Sequence, residues 1–196
     1  MSMTAWLVLG GLAVAAAWAV AVYNRLVTLR NRIANAYGQI DVQLKRRHDL
    51  VPNLVEVARG YLQHEAATLQ AVIQARGQAQ GAADAARAAP SAAHLGALAA
   101  AEGVLGAGLG RLLAVAESYP ELKADAAMRQ LSEELASTEN RLGFARQAYN
   151  DQVLEFNDEA TQFPALIVAR LLGFAAAPML EATRSAQERE APAVRF

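Results

Sequence analysis

The sequence predicts an all-α protein in which an N-terminal transmembrane helix continues into an antiparallel bundle of about four long helices. Three observations carry this prediction. Ala5–Tyr23 is a run of 19 residues without a charge. Beyond it, large apolar residues return every three or four positions, the period of one helix face. Alanine, the strongest helix former, dominates a chain that is 54% hydrophobic and only 6% aromatic, and no run of alternating β-branched residues competes with it.

The expected organisation is a short N-terminal segment (1–4), a membrane helix (5–23), a helical domain (24–180) and a charged tail (181–196). At about 1.5 Å per residue the charge-free run reaches ~28 Å, close to the ~30 Å hydrocarbon layer. Met1–Thr4 lacks the Lys or Arg that opens a signal peptide, so an uncleaved anchor is expected. Trp6, Trp18 and Tyr23 lie toward its ends, as interfacial aromatics do.

The first helix is expected from about residue 5 to 47, with Leu26, Leu29, Ile33, Tyr37, Ile40 and Leu44 on one face. A corner is expected next. Pro52 lacks an N–H, and Asp49 is placed to cap a new helix with Pro52 in its first turn. The second helix would carry Leu50, Leu54, Val57, Tyr61, Leu69, Val72 and Ile73. Gly77–Ala93, rich in Gly and Ala and holding Pro90, shows no apolar stripe and reads as the end of that helix and a flexible connection. The third helix runs from about His94 to Glu117. Its Gly103, Gly106 and Gly110 fit no phosphate loop and instead offer a smooth face for close helix contact. Ser118–Asp125 is a second corner, with Asp125 as cap. The fourth helix has the strongest period: Met128, Leu135, Leu142, Tyr149, Phe156 and Phe163 recur every seven residues until Pro164 ends it. Ala165–Leu180 is apolar but too short to span, and is expected to cap the bundle, with a bilayer-surface position as the alternative. Disorder is expected from Glu181 onward.

No catalytic, cofactor or metal site is expected. The chain has no Cys, no H-E-x-x-H, no Glu-x-x-His and no G-x-S-x-G. A formal net charge of −1 argues against a dedicated nucleic-acid binder. The residues singled out are structural. Asp41 and Lys45 form an i,i+4 pair, and Lys45, Arg46, Arg47 and His48 make the densest basic cluster. That cluster suits salt bridges to the fourth helix or an anionic partner. Asp49, Pro52 and Asn53 belong to the expected corner, and His64 and Glu65 to a surface or interhelix pair. Glu139, Asn140, Arg146, Tyr149 and Asn150 make the fourth helix rich in polar groups, expected to fix the register of the bundle.

Several of these blocks together resemble the LemA family of bacterial proteins. The resemblance rests on YNRLV (Tyr23–Val27), IDVQLKRRHDLVPNLVEVARGYLQHE (Ile40–Glu65), YPELKAD (Tyr119–Asp125), ENRLGFARQAYND (Glu139–Asp151) and FP (Phe163–Pro164). It implies a single N-terminal membrane segment, a domain of long antiparallel helices, and no established enzymatic activity or cofactor. A relative involved in forming magnetosome membranes makes membrane organisation a family-level expectation. Relatives with a lipoprotein signal would place the domain outside the cell.

The expected function is therefore a membrane-anchored, non-enzymatic scaffold or adaptor that presents its bundle to protein partners, as a homo-oligomer or with other membrane proteins. Ala13, Ala17 and Ala21 offer a small-residue face within the membrane. The alternatives are membrane remodelling and, last, an enzyme with a site among Asp41, His64, Glu139 and Arg146. The expected partners are the bilayer, through 5–23, and proteins. No nucleic acid or small-molecule substrate is indicated. Arg25, Arg30, Arg32 and Lys45–Arg47 follow the span, and the positive-inside rule then places the bundle in the cytoplasm and the N-terminus outside the inner membrane.

Overall fold

One helix, α1 (Met3–Arg59), runs the length of the molecule. At about 1.5 Å per residue it is roughly 85 Å long. The computed structural model describes residues 2–62 and 64–180. The disorder expected from Glu181 onward lies outside them.

α1 has two halves. Among the described residues none before Val22 is buried, and the surface there is apolar: Trp6 is 64% exposed and Leu7 71%. From Val22 onward the three- and four-step stripe turns inward, and Leu26, Leu29, Ile40, Leu44, Val51 and Leu54 are almost fully buried. The expected corner at Asp49–Pro52 does not exist. α1 continues through Pro52 to Arg59, and the chain turns at Gly60–Glu65. Leu50, Leu54 and Val57 thus belong to α1, and Asp49 caps nothing. It is an exposed residue bonded to Lys45.

α2 (Ala66–Ala88) and α3 (Ala92–Ala116) form a hairpin joined by Ala89–Ser91, with Ser91 capping α3 by accepting from the His94 N–H. The expected flexible stretch from Gly77 is helical through Ala88. Its inward face is alanine: Ala75, Ala79, Ala83 and Ala86 are buried at steps of four, four and three. Side chains that small let helices approach closely, and they give no large-residue stripe to read. Among the expected contact glycines, Gly103 and Gly110 face open space. Gly106 leaves room for the Arg47 guanidinium, and Gly108 meets Val72.

A short α4 (Pro120–Ala124) fills the next corner, with Pro in its first turn. Asp125 caps α5 (Ala126–Thr161) by accepting from the Met128 N–H at 3.0 Å. Met128, Leu135, Leu142, Tyr149 and Phe156 are all buried, so the heptad faces the core. Phe163 breaks the pattern: it lies beyond α5 and is 80% exposed. α6 (Ala165–Leu171) follows, and the chain then runs without regular structure to Leu180.

α5 lies antiparallel along α1. Arg25 pairs with Glu155 and Arg46 with Glu134, so positions ascend on one helix as they descend on the other. The α2–α3 hairpin packs on this pair. No strand is present among the described residues. The core is three clusters stacked along one axis. The distal one gathers Val51, Leu54, Val72, Leu105, Leu112, Leu122 and Leu135; the middle one gathers Ile40, Leu44, Ala83, Leu95, Leu98, Leu142 and Tyr149. The third, at Val22, Leu26, Leu29, Phe156, Ala160 and Val168, adjoins the charge-free run. α1 and α3 are both long and apolar enough to cross a membrane. α3, however, buries Leu95, Leu98, Leu105 and Leu112 in the bundle and carries an internal carboxylate.

Candidate functional site

That carboxylate is Glu102. It is 3% exposed and sits among apolar neighbours on α3. Burying a charge is costly unless it is paired and hydrogen-bonded, and α1 supplies both partners from adjacent residues. Arg47 donates to Glu102 Oε2 at 3.0 Å, and His48 Nε2 lies 2.6 Å from Oε1. Arg47 also reaches Glu139 of α5 at 3.0 Å. Three helices are therefore tied at one point by a chain of charges. The basic cluster read from the sequence divides here. Arg47 and His48 turn inward, Arg46 pairs with Glu134 at 3.6 Å on the surface, and Lys45 bonds to Asp49 at 3.1 Å.

Pro52 explains a second feature of this region. A proline inside a helix leaves the carbonyl four residues earlier without its N–H donor. That carbonyl belongs to His48, and Arg76 Nε of α2 donates to it at 2.8 Å. A side chain from the next helix replaces the missing bond, and α1 passes through Pro52 unbroken.

A cleft of about 720 Å³ opens beside the cluster. Ile40, Leu44 and Arg47 of α1, Glu102 and Gly106 of α3, Arg146 of α5, and Leu180 are among its lining residues. Arg146 is half-buried, and burial lowers its pKa, opposed by the charge of Glu102 and reinforced by that of Arg47. Among the described residues no hydrogen bond or salt bridge engages it.

The remaining residues fall elsewhere. Asp41 does not pair with Lys45. It accepts three hydrogen bonds from Arg87 of α2, at 2.6–3.1 Å, and these push the Arg87 guanidinium above its ordinary value. Asn53, His64 and Asn140 are exposed, and Glu65 accepts from the Thr68 hydroxyl at 3.2 Å. His64 and Glu65 are therefore not an interhelix pair, and Asn140 does not fix bundle register. Tyr149 and Asn150 do bond inward, but to the segment after α6 and not to another long helix. Tyr149 Oη donates to the Pro178 carbonyl at 2.9 Å. Asn150 Nδ2 donates to the Leu180 carbonyl and its Oδ1 accepts the Leu180 N–H, at 2.8 and 2.9 Å. Asn157 does the same for Ala177, at 3.0 and 2.8 Å.

Sequence reasoning missed Glu102 and Arg76. A single acid in the apolar run Leu95–Leu109 was the available signal for Glu102. For Arg76 it was the pairing of a helix-interior Pro with a basic residue on the following helix.

Chemically, the cluster is occupied with itself. His48 Nε2 is committed to Glu102, and among the described residues no hydroxyl bonds to His48 as a nucleophile would. Nor does any group of three or more His, Asp or Glu there converge to hold a metal ion.

The fold and its internal charge cluster define a class: a membrane-associated all-α protein with a long apolar helix leading into an antiparallel bundle. The profile of the LemA family matches residues 36–196. The chain belongs to the LemA family. It is similar to the magnetosome proteins MamQ 1 and MamQ 2 of Paramagnetospirillum magneticum, each 26% identical over 168 residues. It is also similar to the magnetosome protein MamQ of Magnetospirillum gryphiswaldense, 24% identical over 170 residues. In each case the similarity covers 78% of this chain, and the chain spans 62% of the relative's length. Neither the family nor these names indicate catalysis.

Proposed function

We propose that the protein is a membrane-anchored, non-enzymatic scaffold or adaptor that presents its bundle to protein partners, including further copies of itself. The observation that carries this reading is the continuity of α1: one helix is apolar and exposed over residues 6–18 and a core helix from Val22 to Ala58. A helix without a hinge transmits orientation, so the bundle stands at a set angle to the bilayer and is not tethered on a flexible linker. The buried Arg47, His48 and Glu102 are bonded to one another, while α5 presents Phe144 (73% exposed) and Leu154 (50%) outward. Photocrosslinking from position 144 of the full chain, in native membranes at native expression, tests the reading. Discrete multimers or a recurrent protein neighbour support it. A monomer with no neighbour overturns it.

Orientation is part of the same proposal, with the bundle in the cytoplasm. Arg25 and Arg32 each contact Glu155, which gives these residues a structural role too, while Arg30 has no ion pair among the described residues. The positive bias after the span is nonetheless intact as a count. Because the chain has no Cys, a single cysteine at Phe144 reports the side directly. A membrane-impermeant maleimide should label F144C only after permeabilisation.

A second reading, membrane organisation, is favoured by similarity to proteins named for the magnetosome. Vesicles reconstituted with the full chain should then change shape relative to empty vesicles. Unchanged vesicles at high protein density would remove it.

A further inference from the structure

We propose that α6 and the turns at its two ends form a second contact with the bilayer, a hydrophobic foot beside the spanning helix. The inference rests on the reading of 5–23 as a membrane span and goes beyond it. α6 has two faces. Ala165, Val168 and Ala169 are buried against Val22, Leu26, Phe156 and Ala160, and Ala19 packs on the same cluster. On the other side, Ile167 (50% exposed) and Leu171 (78%) stand four residues apart on one face, with Phe163 (80%) before them and Leu172 (55%) after. An expectation of simple capping accounts for the first face only.

The height of α6 along α1 identifies what covers the second face. Ala19 and Val22 lie inside the charge-free run that ends at Tyr23. A helix packed on them sits where that run leaves the hydrocarbon. The second face therefore meets the boundary between acyl chains and headgroups. The rim fits the same place. Arg170 and Arg30 are exposed at this end, suited to lipid phosphates, and the Tyr23 ring stands edge-on to Phe174 with centroids 5.8 Å apart. A span with a lateral amphipathic foot resists tilt better than a span alone, so the foot would fix how the bundle is presented.

The cysteine-free chain makes the test direct. Single cysteines V14C, L171C and F144C in the full chain carry an environment-sensitive fluorophore, in phosphatidylcholine–phosphatidylglycerol vesicles. Quenching by doxyl-labelled lipid and by aqueous iodide is then compared. The lipid quencher should extinguish most emission at 14 and 171, while iodide reaches 144 alone. Iodide quenching at 171 matching that at 144 would overturn the foot while leaving the anchor standing. Shielding of 171 from both quenchers would show a protein partner or second copy on this face, and also overturn it. Loss of lipid quenching at 14 would overturn the anchor, and the foot with it.

Discussion

At the scale of single residues, the decisive contacts join groups distant in sequence, and their worth depends on burial. Replacing Arg76 by Ala leaves the His48 carbonyl beside Pro52 without its donor. The expected loss is about 1–3 kcal/mol, the cost of a buried polar group left unpaired. Pro52→Ala supplies the missing N–H to the same carbonyl, so the Arg76 loss should shrink in the double variant. Thermal or urea unfolding of the full chain in detergent reads the cycle, and additive effects would refute the substitution of one donor for the other. Glu102→Ala strands the buried Arg47 and His48. A loss of about 3 kcal/mol is expected, at the lower end for a broken buried pair because Glu139 still holds Arg47. Arg46→Ala removes a half-exposed pair and should cost less than about 1 kcal/mol. Asp125 gives the pH dependence. Its carboxyl is held below the ordinary aspartate value, first by the Met128 N–H and then by the Tyr61 hydroxyl. A depressed folded pKa stabilises above the unfolded pKa and loses that contribution as pH falls through the folded value. The melting-temperature gap between wild type and D125A should therefore be constant at neutral pH and close only in acid, below about pH 4.

At the scale of elements, α5 organises more than the core. Asn150 and Asn157 are seven residues apart on a helix, or about 10.5 Å. Ala177 and Leu180 are three residues apart on extended chain, or about 10 Å. The two spacings agree, so each Asn meets a backbone N–H and C=O together, as a neighbouring strand would. Substituting Ala at both positions should release 173–180 from α5 while α5 stays helical. Hydrogen exchange checks this: the amides of Ala177 and Leu180 should lose protection and those near Leu142 should keep it. Uniform loss would mean that the strap supports the whole bundle. The heptad of α5 was legible in the sequence because large apolar residues announce a face. The inward face of α2 was not, because Ala75, Ala79, Ala83 and Ala86 look the same as the alanines around them until a neighbour covers them.

At the scale of the whole molecule, the division between anchor and bundle at residue 23 cuts through packed structure. Val22 belongs to the third core cluster and Ala19 packs against it. A fragment beginning at residue 24 should fold in its distal and middle clusters and be loosened at α6. Faster exchange in 165–171 than in the full chain, with unchanged protection around Leu105 and Leu54, is the expected pattern. Equal protection at α6 would show that Leu26 and Leu29 suffice to hold it. The same continuity is why α1 can act as a rigid post.

By itself, the sequence determined the all-α class, the apolar N-terminal helix, the heptad face of α5 and the Asp125 cap. These depend on composition, period and neighbours within a few residues. Only the tertiary structure decided where α1 ends, how α2 packs and which polar groups matter. Pro52 breaks a helix unless a donor reaches the orphaned carbonyl, and Arg76, 24 residues away, is that donor. Glu102 is an unwelcome acid on an apolar helix until Arg47 pairs with it and His48 hydrogen-bonds to it, both more than 50 residues earlier. Local rules state the cost of such residues, and long-range contacts decide whether it is met.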